Sequence, residues 1–304
     1  MHKEFLMGNA AIALGAVAAG VNVVAGYPGT PSTEVLETIA KHRPDDVYVE
    51  WSVNEKAAME LAAGASYAGA RSMVTMKQVG LNVASDPLMS LEYVGIKGGM
   101  VILVADDPGP ISSQTEQDTR HFSRFSKLPC FDPSSAQEAY EMIQEAFEYS
   151  EKYGTPVFLR PTTRVCHGYA SIMVKDETEY THHQPEGFIK DSKRWVIFPR
   201  LSFMNHKKIE ARNQELSDIF SSYEKNTIHP SCDAFKDSKK GIATGGISYT
   251  YTMETLKKTG MVKTLKIATP HPFPEKLAVD FLSGLDEVLC LEELDPVIER
   301  ELIY

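Results

Sequence analysis

The sequence predicts an open α/β sheet with helices on both faces, followed by a smaller α/β unit. Three observations carry that expectation. Residues 72–76 and 100–105 form short continuous apolar runs, which read as parallel strands buried on both faces. Helical spacing intervenes, most plainly where Ala136, Ala139, Tyr140, Ile143, Ala146 and Phe147 share one face after Pro133-Ser134-Ser135. The same alternation of strand and helix resumes near Gly241 after a stretch without period.

In order, a small-residue helix is expected from residue 8 to about residue 20, then a strand at 21–26. Residues 6–26 are almost uncharged and about as long as a membrane span. Asn9 and Asn22 interrupt them, and Ala and Gly, which drive insertion weakly, dominate. The stretch is therefore read as a buried helix and strand, neither anchor nor signal peptide, in a cytoplasmic protein. Pro31 suits a first helical position and biases Thr30 toward the extended backbone of a cap. The helix that follows carries Val35, Leu36 and Ile39 on one face. A short strand at 47–49 precedes a helix bearing Glu55, and residues 80–91 form a helix and turn. Ser135 with Glu138 predicts a capping box. Gly154-Thr155-Pro156 ends that helix, and 157–159 is the closing strand. From about 161 to 206 the pattern fails, which reads as a linker wrapping the surface. An amphipathic helix (Ile209, Leu216, Ile219, Phe220, Tyr223) then leads to strands at 241–244, 265–268 and 288–291. The last helix is expected to start with Asp295 as cap and Pro296 at its first position.

Bulk properties narrow the function. A chain of 304 residues has room for two ordinary domains. A net charge of −10 gives no support to nucleic-acid binding, which needs concentrated Lys and Arg. Cys130, Cys166, Cys232 and Cys290 lack the close spacing of zinc, redox or iron–sulfur motifs and read as buried reduced thiols. His182-His183 lies in a polar stretch without metal-site spacing. No G-x-G-x-x-G follows the first strand, which argues against a dinucleotide-binding protein.

Polar groups gather at two helix openings. Free amides after Thr30 make a seat for a carboxylate or phosphate. Glu55 sits on a helix whose apolar face is expected to be Ala57, Ala58, Leu61, Ala62 and Ala65. A carboxyl so placed should be desolvated, with its pKa raised toward the range of acid/base work. On residues alone it equally reads as a surface or helix-capping glutamate. Lys77 and Gln78 end a strand at the edge where α/β sheets bind ligands. Asp106, Asp107, Ser113, Gln114 and Glu116 follow the next strand, where solvated loop carboxylates are the plain reading. Gly245-Gly246 is a weak hint of a phosphate loop.

GYPGTPST (26–33), YVEWSVNEKAAMELAAGASYAGARSMVTMKQVGLNVASDPLMS (48–90), VILVADDPGPISSQTEQDTRHF (101–122) and YGTPVFLRPTTRV (153–165) resemble one family. It is the thiamine-dependent 2-oxoacid:ferredoxin oxidoreductases, in particular their indolepyruvate-type large subunits. The resemblance implies a thiamine diphosphate pyrimidine-binding domain at 1–165 and a linker at 166–205. A smaller domain like the transketolase C-terminal domain would occupy 206–304. The family's pyrophosphate-binding domain opens with Gly-Asp-Gly and holds magnesium. No Gly-Asp dipeptide occurs here, and the cysteine-rich ferredoxin domain is absent too. The chain thus looks like the front half of an enzyme, as a truncated chain or a split subunit.

By the same resemblance Glu55 is the catalytic group, hydrogen-bonding the aminopyrimidine ring and relaying its proton. Tyr27, Pro28, Gln78 and Asn82 join it around the cofactor, and Gly29, Thr30, Lys77 and Gln114 face the substrate. No residue of this chain is implied as a metal ligand. Gly29 stands where relatives acting on 2-oxoglutarate or pyruvate carry bulkier residues, which fits a pocket opened for an aryl group. Gln78 departs from the His of many close relatives. The implied reaction is oxidative decarboxylation of aryl pyruvates to acyl-CoA, with electrons passing to ferredoxin through 4Fe-4S clusters elsewhere in the complex. The implied partners are a missing half or separate subunit holding Mg2+, a small second subunit, ferredoxin, CoA and a second copy of the chain, as a dimer. The alternative is a non-catalytic pyrimidine-domain relic serving as an assembly or binding module.

Overall fold

A computed structural model describes residues 1–304. The chain opens with β1 (His2–Met7) and α1 (Gly8–Ala18), then alternates β2 (Val23–Gly26), α2 (Thr33–His42), β3 (Tyr48–Trp51), α3 (Glu55–Tyr67), β4 (Ser72–Lys77), α4 (Gln78–Val94) and β5 (Met100–Ala105). It continues with α5 (Thr119–Ser126), β6 (Cys130–Phe131), α6 (Ala136–Tyr153) and β7 (Val157–Leu159). Six strands form one parallel sheet in the order β3-β2-β4-β5-β7-β6. Its two faces are separate cores. Val101 and Leu103 pack with α1, α2 and α6 on one side, whereas Ile102 and Val104 pack with α3 and α4 on the other. That alternation along a strand with no exposed residue is why its sequence reads as a continuous apolar run. The near-uncharged N-terminal stretch is divided between β1, α1 and β2, and no helix is long and apolar enough to cross a membrane.

Beyond β7 come α7 (Thr163–His167), β8 (Tyr169–Val174), α8 (Ser192–Trp195) and α9 (Pro199–Phe220). The stretch expected as a linker over 166–205 therefore has structure. β8 returns to pair antiparallel with β1, with Leu6 opposite Ala170, and α9 begins well before Ile209. A second sheet, in the order β12-β10-β11-β9, is built from β9 (Thr227–His229), β10 (Lys240–Gly245), β11 (Lys263–Ile267) and β12 (Glu287–Leu291). The helices α10 (Gly246–Thr259), α11 (Glu275–Leu282) and α12 (Val297–Ile303) accompany it. Pro296, not Asp295, is the N-cap of α12; the Asp295 carboxylate meets His121 Nε2 at 2.8 Å instead.

The box at the start of α6 is half-formed. Ser135 Oγ accepts from the Glu138 amide at 3.2 Å, but the Glu138 carboxylate accepts from Ser134 N–H and O–H. Its second oxygen takes the Lys266 ammonium from β11, so this helix start also joins the two sheets. The cysteines are all unpaired; Cys130 and Cys166 are buried, Cys232 and Cys290 half-buried.

Where α9 crosses α4, Glu92 is 3% exposed and accepts from Arg212 at 2.9 Å. Burial pushes its carboxyl up to about 7, against the pull of Arg212. The folded chain thus binds a proton between pH 4.5 and about 7 that the unfolded chain releases, so stability falls as pH rises through that window. The full effect approaches ~3 kcal/mol. Urea denaturation at pH 5 and pH 8 should show this fall in the parent and a much flatter profile in Glu92→Gln.

Candidate functional site at the carboxyl edge of the large sheet

In a parallel α/β sheet, the loops after the strands converge at the carboxyl edge, where ligands bind. Here those loops follow β2, β3, β4 and β5. After β2, Ser32 N–H donates to Gly29 O at 2.9 Å, closing a turn over Thr30 and Pro31, whose peptide bond is cis. The Gly29 N–H is taken by the Thr33 hydroxyl at 2.9 Å. The helix starts at Thr33 with Ser32 at the N-cap. Thr30 is therefore no cap and Pro31 no first helical residue; the tight turn takes both. Thr30, Tyr27 and Pro28 are exposed.

After β3, Asn54 caps α3, its Oδ1 accepting from Ala57 N–H at 2.9 Å. Capping by Asn places Glu55 as the first helical residue, in the first turn, where a negative charge suits the helix dipole. The carboxyl lies against Gly80 of α4: a Cβ there would come within 2.6 Å of Glu55 Oε1. The buried face of α3 is Ala58, Met59, Ala62, Ala63 and Ser66, while Ala57, Leu61 and Ala65 are half-buried. Glu55 itself is half-buried. The enclosure expected for it is thus partial, with Gly80 of α4 against its carboxyl.

After β4, Lys77 is half-buried at the start of α4. Its stem lies over Gly29, where an added Cβ would come 3.1 Å from Lys77 Cγ and 3.2 Å from Cδ. The room left by Gly29 is occupied by this lysine; it is not an open aryl pocket. Gln78 is 1% exposed and donates from Nε2 to Thr115 O at 3.2 Å, while its Oε1 has no partner. The exposed Asn82 reaches Gln117 Oε1 at 3.1 Å. These two contacts stitch the start of α4 to the loop after β5.

That loop is anchored from below. Asp106 is fully buried, not solvated; it accepts from Arg160 Nε at 2.6 Å and from the Thr119 amide at 3.0 Å. Burial raises its carboxyl above the usual range, against the pull of Arg160. Asp107 is buried too and accepts from the amides of Ser112 and Ser113 and from the Thr163 hydroxyl. Burial pulls its carboxyl upward, but these hydrogen bonds prevail and leave it below the usual range. Glu116 accepts from Gly109 N–H, Ser113 is half-buried, and Gln114 is exposed at the rim.

Arg160 also faces Asp132 at 3.3 Å and Asp118 at 3.6 Å. Asp118 binds Arg120 at 2.6 Å, and Arg120 reaches Glu292 of the second unit at 2.6 Å. Sequence reasoning assigned no role to Arg160, Arg120, Asp118, Asp132 or Glu292. The available signal was an arginine directly after the buried strand 157–159. Asp118, His121 and Asp295 come together closely enough to suggest a cation site. Both Asp118 oxygens already accept from Arg120, however, and His121 is spent on Asp295. Gly245-Gly246 is no phosphate loop: a Cβ on Gly246 would meet Asp132 Oδ1 at 3.2 Å, so the pair permits close packing between the two sheets.

Fold and site together define a two-sheet α/β protein whose carboxyl edge carries an acid free of hydrogen bonds, a cation and the orphaned buried acceptor of Gln78. A family described as pyruvate flavodoxin/ferredoxin oxidoreductase, thiamine diphosphate-binding, matches residues 14–231. The chain belongs to that family. It is 44% identical to the indolepyruvate oxidoreductase subunit IorA of Methanothermobacter thermautotrophicus over 99% of this chain and 48% of that one. Against IorA of Pyrococcus abyssi it is 42% identical over 99% of this chain and 47% of that one. The chain thus spans about half the length of these curated relatives. Its fold is similar to 2-oxoglutarate:ferredoxin oxidoreductase from Magnetococcus marinus, with a TM-score of 0.77 and 18% identity over 96% of this chain and 58% of that one.

Removing the buried arginine would strand carboxylates in a dry interior. Arg160→Met should lower stability by about 3–5 kcal/mol at pH 7. The loss should shrink toward pH 4, where stranded carboxylates take up protons; urea denaturation at both pH values measures it.

Proposed function

We propose that this chain supplies the aminopyrimidine half of a thiamine diphosphate site in a cytoplasmic 2-oxoacid:ferredoxin oxidoreductase. The complex would convert indolepyruvate or another aryl pyruvate to the acyl-CoA and pass electrons to ferredoxin. Residues 1–165 would form the pyrimidine-binding domain and 206–304 the transketolase C-terminal-like domain. Mg2+, the diphosphate and the 4Fe-4S clusters would be held by a further domain or subunit, and the chain would pair with a second copy and a small second subunit.

The observation that carries this reading is Glu55, a half-buried carboxyl set against Gly80 and free of hydrogen bonds within the chain. Such a group fits a basic ring nitrogen, and the orphaned acceptor on Gln78 fits an amino group beside it. Bound thiamine diphosphate supplies the electron sink for decarboxylation. Glu55 holds a proton at the ring nitrogen, with Tyr27, Pro28 and Asn82 bordering the ring. Thr30 and Lys77 orient the substrate carboxylate, with Gly29 beneath the lysine and Gln114 at the rim.

Glutamine at position 55 keeps the shape and loses the exchangeable proton. In the assembled complex, Glu55→Gln should cut thiamine diphosphate-dependent 2-oxoacid oxidation by about 10²- to 10⁴-fold, with the circular dichroism spectrum and assembly unchanged. Full activity in that variant would favour the non-catalytic module instead.

A further inference from the structure

The loops over residues 27–32, 52–54 and 106–118 contain no Lys or Arg. Lys56 on α3 is paired with Asp86 at 2.7 Å. Lys77 is different: it caps α4 without a side-chain hydrogen bond, it is half-buried, and no carboxylate faces it. A half-buried ammonium without a counter-charge is placed to pair with an anionic ligand. Its position is set by its neighbour. An added Cβ at residue 29 would lie 3.1, 3.2 and 3.6 Å from Cγ, Cδ and Cε of the lysine. A methyl is therefore tolerated with a small shift, whereas a branched side chain must push the stem aside.

We propose that Gly29 and Lys77 act as one carboxylate-binding unit: the missing side chain at 29 lets the lysine lie across the turn that carries Thr30, and its ammonium takes the substrate carboxylate. This rests on the proposed function above. Residue 29 then acts on substrate binding through the lysine, not by lining an aryl pocket. Its size changes the affinity for every 2-oxoacid by a similar factor.

The test uses the assembled complex, with phenylpyruvate and pyruvate as probes. KM and kcat are measured by turnover, and phenylpyruvate binding by calorimetry without thiamine diphosphate. Lys77→Met should raise KM for both acids about tenfold or more, weaken phenylpyruvate binding by a similar factor and change kcat far less. Lys77→Arg should recover part of the loss. Gly29→Ala should raise KM slightly and Gly29→Val strongly, for both acids alike. In the double variant Gly29→Val/Lys77→Met the valine should add almost nothing, because the group it displaces is gone.

Unchanged KM and binding in Lys77→Met would overturn the proposal. So would a Gly29→Val penalty that persists in full without the lysine, or one confined to phenylpyruvate. Absence of thiamine diphosphate-dependent turnover would defeat the functional reading itself, and calorimetry would then decide the role of Lys77 alone. Retained dependence on thiamine diphosphate and on Glu55, with a negative Lys77 result, would sink only the present inference.

Discussion

The buried guanidinium of Arg160 is the constraint on which the arrangement depends. A permanently charged group at 2% exposure is tolerable only when carboxylates surround it. Those carboxylates come from three separate places: Asp106 at the end of β5, Asp118 at the start of α5 and Asp132 after β6. Arg120 extends the cluster to Glu292. Four buried acids against two guanidiniums leave an excess of negative charge, and its consequences divide unevenly. Burial pushes Asp132 up to about 6 despite Arg160. Asp118 feels the same burial, yet Arg160 and Arg120 hold it down to about 2. One cluster thereby fixes the root of the loop over the ligand edge and the seam between the two sheets.

Above that root, two glycines shape the edge in the same way. Gly80 leaves room for the Glu55 carboxyl, and Gly29 for the Lys77 stem. In each case the glycine belongs to a neighbouring element, so the charged side chain is placed by packing between segments. Opposite charges are thereby set on adjoining loops without an ion pair between them, and both remain available to a ligand. Gln78, directly after Lys77 in sequence and buried with a free acceptor, belongs to the same arrangement.

Much of the fold was legible because its information is local. The apolar runs of β4 and β5 and the helical stripe of α6 are complete within a few residues, and periodicity reports them directly. Pairing between distant segments leaves no such trace. The β1–β8 ribbon joins residues near both ends of the first unit, and its two short strands lie too far apart in sequence to announce each other. Thr30-Pro31 has the composition of a helix start; only the hydrogen bond from Ser32 to Gly29 reveals the turn that absorbs it. At the carboxyl edge, the placement of Glu55, Lys77 and Gln78 was legible from the strand ends that precede them. The Arg160 cluster was not, since a lone arginine after a strand says nothing of three acids elsewhere. Gly29 was legible as permissive, but what fills the space it leaves is a matter of packing.

The partial enclosure of Glu55 bears on how such a site is completed. Burial disfavours the charged form of an acid, and each open side restores its hydration. Here Gly80 lies against the carboxyl, whereas Tyr27, Pro28, Thr30, Asn82 and Gln114 stand exposed along the same edge. A surface that buried those residues would also remove water from the carboxyl. Under the proposed function, the chain prepares the proton-holding group in position and leaves its activation to assembly.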